Sequence, residues 1–223
     1  DVGYDPVNSP YPQFTIKAVN TKGITSRVSQ AVGCTPVTFV SARGSGQNTV
    51  EKGWGESLGD RGLRIVNAIR RNLNVGHSYI SSSGLNYPAA RVDTWTGWVS
   101  YPRSANIGKM ALQSTLENWQ EACPQTKFIL FGYSQGADVV ASWVDFSQKI
   151  QNSVIQVVLF GDPHYNAKDT SNASPGSQTN GPLGAREPFN SIRVRTWCSL
   201  SDAVCQGTQT NLTDIKDHIH GQV

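Results

Sequence analysis

The sequence predicts an α/β domain built on a parallel sheet flanked by helices. Three observations carry that prediction. Short β-branched or aromatic runs occur at 36–41, 127–132 and 153–161, helical apolar spacing separates them, and glycine-rich turns mark where strand gives way to helix. At 223 residues the chain can bury one sizeable core, and 38% hydrophobic against 16% charged residues excludes a disordered or coiled chain. No apolar run approaches the roughly 20 residues that a membrane helix requires.

In chain order, residues 1–33 are polar and irregular, with Pro6, Pro10 and Pro12, and are read as an N-terminal arm with one short structured stretch at 26–31. The domain proper is expected over 34–223. Pro36 to Ser41 reads as a buried strand ending at the turn Arg43-Gly44-Ser45-Gly46. From Trp54 to Leu73, Leu58, Gly62, Ile65, Val66, Ile69 and Leu73 recur at the three-and-four spacing of a helix packed on a sheet. Ser78–Ser81 and Val92–Trp95 are weaker strands, and Ser104–Ala122 is a helix with Ile107, Met110, Ala111, Leu112, Leu116 and Trp119 on one face. Lys127–Gly132 is the next strand, Gln135–Phe146 the next helix, and Ser153–Gly161 the strongest strand of the chain. Residues 162–190, rich in Gly, Pro, Ser and Asn, are expected to form a surface excursion before a last strand over Ile192–Trp197.

The net charge of +3 is scattered, with Arg70-Arg71 the only adjacent basic pair, so the chain lacks a nucleic-acid footprint. The four cysteines, Cys34, Cys123, Cys198 and Cys205, form no CxxC pair, which favours disulfides over zinc and an oxidising compartment. A start at Asp1 with no apolar leader is the form expected after removal of a secretory signal. Sequons at Asn172 and Asn211 permit glycosylation in a eukaryotic host.

Chemistry enters at Phe131-Gly132-Tyr133-Ser134-Gln135-Gly136-Ala137. Gly-x-Ser-x-Gly is common by chance, but here it follows an apolar strand and opens a helix, the setting in which a sharp turn presents a serine Oγ above the sheet. Ser134 is thus the candidate nucleophile, and the competing assignment is a plain N-cap serine. The N–H of Gln135, at the helix start, would face a developing oxyanion. The histidines available as base are His77, His164, His218 and His220. The chain order nucleophile, acid, base excludes His77 and favours the two near the C-terminus. Asp162 and Asp202 compete as the acid, because both follow strands on the correct edge.

Four motifs in this order resemble the cutinase family of serine esterases: CTPVTFVSARGS, EACPQTKFILFGYSQGA, VVLFGDP and CSLSDAVC. The resemblance runs from Cys34 to His218. It implies an α/β-hydrolase fold with a five-stranded parallel sheet, helices on both sides and no large lid. It also implies Ser134 as nucleophile, Asp202 as acid, an oxyanion hole from the N–H groups of Ser45 and Gln135 aided by Ser45 Oγ, and the pairs Cys34–Cys123 and Cys198–Cys205. The run Asp214-Ile-Lys-Asp-His218-Ile-His220 matches the family pattern better with His218 as base. Three features depart from the pattern: His218-Ile-His220-Gly lacks the tyrosine of the family's His-x-x-Tyr, the sequence ends at Val223 where the family continues into a long helix, and the 162–190 excursion is longer than in the compact fungal members. The implied activity is that of a secreted, monomeric carboxylic ester hydrolase needing no metal or organic cofactor. Its substrates would be polyester, lipid or acetylated polysaccharide esters, and the alternatives are an acetylxylan esterase or an inactive binding protein on the same scaffold.

Overall fold

The computed structural model describes residues 13–14, 32–47, 58–92, 95–173, 179–200 and 202–207, of which 13–14, 32 and 95–98 are described by backbone alone. Two short strands, β1 (Gln13–Phe14) and β2 (Val32–Gly33), pair antiparallel ahead of the domain. The expected segment at 26–31 lies outside the described residues. Then follow β3 (Val37–Ala42), α1 (Gly59–Leu73), β4 (Ile80–Gly84), α2 (Trp95–Ala122), β5 (Lys127–Tyr133) and α3 (Gln135–Ala141). A 3₁₀ turn over Ser142–Asp145, α4 (Gln148–Ser153), β6 (Val154–Phe160), β7 (Val194–Trp197) and α5 (Ala203–Gln206) complete the order.

The five long strands form one parallel sheet in the order β4-β3-β5-β6-β7. Strand alternation sorts side chains onto its two faces. Val40, Phe128, Leu130, Val157 and Leu159 point to one face and pack with Leu112 and Leu116 of α2 and with Val139 and Val140 of α3. Phe39, Phe131 and Tyr133 point to the other and pack with Leu58 and Val66 of the α1 region. This is the three-layer α/β-hydrolase arrangement with no large lid among the described residues. No described helix is long and apolar enough to cross a membrane.

Chain direction across the sheet reverses at one place. From β3 the chain moves outward to β4, then returns past β3 to β5 and continues to β6 and β7. Connections therefore diverge between β3 and β5, and a crevice opens there at the carboxyl ends of the strands, where parallel α/β sheets bind ligands.

Three segments differ from the sequence expectation. Of the strand expected over Val92–Trp95, Val92 belongs to no strand, residues 93–94 lie outside the described residues, and Trp95 begins α2, which runs through Pro102. Helix geometry survives a proline there because the turns around it are held from outside, with Tyr101, Ser104 and Ala105 all buried. The helix expected over 135–146 tightens to 3₁₀ at Ser142, whose Oγ donates to Val139 O at 2.7 Å. Lastly, the 162–190 segment is not a bare surface excursion. Its Tyr165, Asp169 and Ser171 are buried, and Ser171 and Ala173 bond to Thr196, covering the outer edge of β7.

Both disulfides implied by the family resemblance are present, Cys34–Cys123 and Cys198–Cys205. At the first sequon, Asn172 Nδ2 donates to Asn166 O at 3.0 Å and Ala167 O at 3.3 Å. Asn211 lies outside the described residues.

Candidate active site

β5 delivers Ser134 to the crevice. Its N–H still donates to Phe160 O of β6 at 2.8 Å, while its carbonyl already accepts from Ala137 N–H at 2.8 Å, so the residue is at once the end of a strand and the start of a helix. That double duty forces φ 55 and ψ −122, a backbone conformation that costs a non-glycine residue about 1–3 kcal/mol. Ser134 makes no side-chain cap bond to α3. A plain N-cap serine would sit at negative φ with Oγ turned back onto the helix, so the geometry is that of a nucleophile elbow.

The two glycines around Ser134 are steric necessities. A Cβ at Gly136 would stand 2.0 Å from Ala42 O, and one at Gly132 would stand 2.4 Å from Gly136 O. Ala42 and Gly132 are Cα partners across β3 and β5, so the turn leaving β3 lies directly beside Ser134. A Cβ on Gly44 would meet Ser134 Cβ at 3.2 Å and the Tyr133 ring at 2.7 Å. The turn itself is closed by Gln47, whose N–H donates to Gly44 O at 3.2 Å and whose Oε1 accepts from Gly44 N–H at 2.7 Å.

Ser45 and Gln135, one from each side of the crevice, are buried. Among the described residues Ser45 Oγ and Gln135 Nε2 have no hydrogen-bond partner. An unpaired buried polar atom is costly, and for Ser45 Oγ, on the turn beside Ser134, a substrate oxygen is the kind of group that satisfies it.

The candidate acids occupy neighbouring strand ends. Asp162 follows β6 and is gripped by Arg186, with Nε to Oδ2 at 2.7 Å and Nη2 to Oδ1 at 2.5 Å. Asp202 follows β7, is buried, and caps α5 by accepting from Val204 N–H at 2.9 Å. It stands close enough to Tyr133 for its charge to act on that phenol. Burial first, and Asp202 after it, pushes the Tyr133 hydroxyl far above its ordinary range, opposed by Arg61 stacked 4.2 Å from the ring centroid.

Of the histidines, His77 lies before β4 and so at the amino edge of the sheet, opposite Ser134; burial and then Arg70 hold its pKa below the usual value. His164 is on the correct edge, but its Nδ1 lies 3.0 Å from Gly184 O and its Nε2 faces Asp138 at 3.9 Å. His218 and His220 lie outside the described residues.

Sequence reasoning missed the cluster around Asp138, one helical turn beyond Ser134. Tyr101 Oη donates to Asp138 Oδ2 at 3.1 Å and Lys109 Nζ pairs with Oδ1 at 2.9 Å. A bare buried carboxylate here would oppose negative charge at the head of α3, and Lys109 offsets it. The spacing of Ser134 and Asp138 on one helix was the available signal for Asp138, whereas its partners Tyr101 and Lys109 on α2 lie too far along the chain to leave one.

The cutinase family profile matches residues 33–220. Carboxylesterase Culp1 of Mycobacterium tuberculosis is 29% identical over 182 residues, covering 81% of this chain and 73% of that protein. Cutinase 4 of Emericella nidulans is 28% identical over 196 residues, covering 87% and 70%. The catalytic core domain of acetyl xylan esterase from Trichoderma reesei superposes with a TM-score of 0.64 over 85% of this chain and 95% of that one, at 21% identity, a likeness of fold. With a family match over most of its length, an elbow serine and a five-stranded parallel sheet, the chain belongs to the cutinase family of carboxylic ester hydrolases.

Proposed function

We propose that the chain is a secreted, monomeric serine esterase in which Ser134 is the nucleophile, His218 the base and Asp202 the acid. The observation that carries this reading is the strained, non-capping Ser134 at the carboxyl-edge crevice between β3 and β5. Ser134 Oγ attacks the ester carbonyl carbon while the imidazole takes its proton. The tetrahedral oxyanion is held by the N–H groups of Ser45 and Gln135 with Ser45 Oγ beside them. Collapse expels the alcohol, which receives the proton from the imidazolium, and leaves an acyl-serine. Water, deprotonated by the same base, then releases the acid and restores Ser134. The two disulfides support an oxidising compartment.

Cutin, polyester or lipid esters are the preferred substrates, and acetylated xylan is the alternative named by the structural relative. A series of p-nitrophenyl esters from acetate to palmitate, run beside acetylated xylan, separates them. For the chemistry itself, Ser134→Ala is expected to lower kcat on p-nitrophenyl butyrate by at least four orders of magnitude and abolish fluorophosphonate labelling, with the fold intact. A folded variant keeping a tenth of wild-type activity removes Ser134 from the role. His218→Ala should match that loss while His220→Ala keeps most activity, and the reverse ranking moves the base to His220.

A further inference from the structure

The proposed oxyanion donors sit on two separate pieces of chain, Ser45 in the turn after β3 and Gln135 at the head of α3. Donors must stand within roughly 2.7–3.1 Å of the same oxygen, so something has to fix the distance between the two pieces. The segment 85–90 touches both. Towards the turn, Ala89 O accepts from Gly46 N–H at 2.9 Å. Towards the helix, Ala90 N–H donates to Ser104 Oγ at 2.9 Å, and Ser104 Oγ donates to Gln135 Oε1 at 2.9 Å. Ala89 holds φ 45 to aim that carbonyl, a conformation that persists only where neighbours enforce it.

The enforcement comes from a reciprocal clamp. Arg43 Nη1 donates to Leu85 O at 3.1 Å and Nη2 donates to Tyr87 O, while Tyr87 Oη donates back to Arg43 O. Arg43 Nε reaches Gln47 O at 3.2 Å, tying the same guanidinium to the far end of the turn that carries Ser45. The guanidinium also lies 5.0 Å from the Tyr87 ring centroid. Both side chains are buried, at 3% exposure each, so these bonds face little competition from water. An arginine suits the task because its rigid fork holds two carbonyls and a third at once, which a lysine ammonium on a flexible stem does not reproduce.

We propose that Arg43 and Tyr87 are positioning residues for catalysis: their clamp fixes residues 85–90 as the spacer that sets Ser45 N–H and Gln135 N–H at the separation an oxyanion needs. This rests on the serine-esterase reading above. The effect should fall on the transition state, because both side chains are buried and spend their donors on backbone carbonyls.

The test uses the full chain carrying Tyr87→Phe, which keeps the ring and its stacking, and Arg43→Lys, which keeps the charge. Active sites are counted by fluorophosphonate titration. Then kcat and KM are measured on p-nitrophenyl butyrate, Ki is measured for butylboronic acid, whose tetrahedral adduct on Ser134 occupies the hole, and Tm is recorded. Per titrated site, kcat should fall about tenfold for Tyr87→Phe and about a hundredfold for Arg43→Lys, with KM within about twofold and the boronate Ki raised by a similar factor to kcat. A purely structural role would lower Tm and the titratable fraction but leave kcat per site and boronate Ki unchanged, and that result overturns the proposal. If Arg43→Lys does not fold, Tyr87→Phe alone decides. Failure of the underlying reading looks different: the unaltered protein would neither take up fluorophosphonate nor turn over the ester.

Discussion

Asp162 and Asp202 stand at the carboxyl ends of adjacent strands, both almost fully buried, yet they are built for different work. Asp162 spends both oxygens on Arg186, and its Oδ1 also accepts from His164 N–H at 2.9 Å. That ion pair pins the start of the 162–190 segment to its end. Asp202 caps α5, on a turn stapled by Cys198–Cys205. The first segment supports the second: Tyr165 packs on the disulfide, and Thr179 Oγ donates to Gln206 O. A carboxylate whose two oxygens are both taken by an arginine fork has little left to orient an imidazole, whereas one on a capped, stapled turn is held in position. The contrast favours an architectural role for Asp162 and supports the proposal of Asp202 as the acid.

The sharpest way to break this contrast is to remove each charge. Asp202→Asn is expected to lower kcat by about four orders of magnitude through loss of the base's orientation and of its imidazolium partner, with Tm little changed. Asp162→Asn leaves the Arg186 guanidinium without its counter-charge and should cost about 3 kcal/mol of stability, read by denaturant unfolding. Its kcat per titrated active site should stay within about threefold of the parent, since Asp162 acts only through packing in this assignment. If Asp162→Asn loses more kcat than Asp202→Asn, the roles are exchanged.

How far the sequence showed this in advance depended on the range of the interaction. Ser134 was legible because its whole signal is local: an apolar strand, two glycines and a helix start within ten residues, and β3, β5 and β6 were legible for the same reason. The first turns of α2 were not, because Pro102 interrupts the helical pattern while the bonds that sustain it come from Asp138 and Gln135 on another helix. Residues 162–190 read as a solvated loop since Asp162, Asp169 and Ser171 are polar. Their burial depends on partners far along the chain, such as Arg186 for Asp162 and Phe189 N–H for Asp169. The Arg43–Tyr87 clamp left no trace at all: it joins residues 44 apart and ends on backbone carbonyls, which every residue possesses.

The smallest expected effect concerns the staple. Closing the short loop between Cys198 and Cys205 restricts the unfolded chain by about 2.5 kcal/mol on a chain-entropy estimate, less than the roughly 4.5 kcal/mol of the long Cys34–Cys123 closure. Replacing both Cys198 and Cys205 by Ala should therefore lower Tm by about 5–10 °C for a domain of this size. The Asp202 loop would still be held by the Asp202 cap on Val204, by Tyr165 and by the Thr179–Gln206 bond, so its carboxylate should wander by only a fraction of an ångström. We expect kcat to fall about threefold to tenfold, far short of the Asp202→Asn loss, with KM unchanged. A loss as large as that of Asp202→Asn would mean that the disulfide alone orients the acid and that the 162–190 segment gives it no support. An unchanged kcat would mean the reverse, that the packed segment sets the loop and the staple serves stability only.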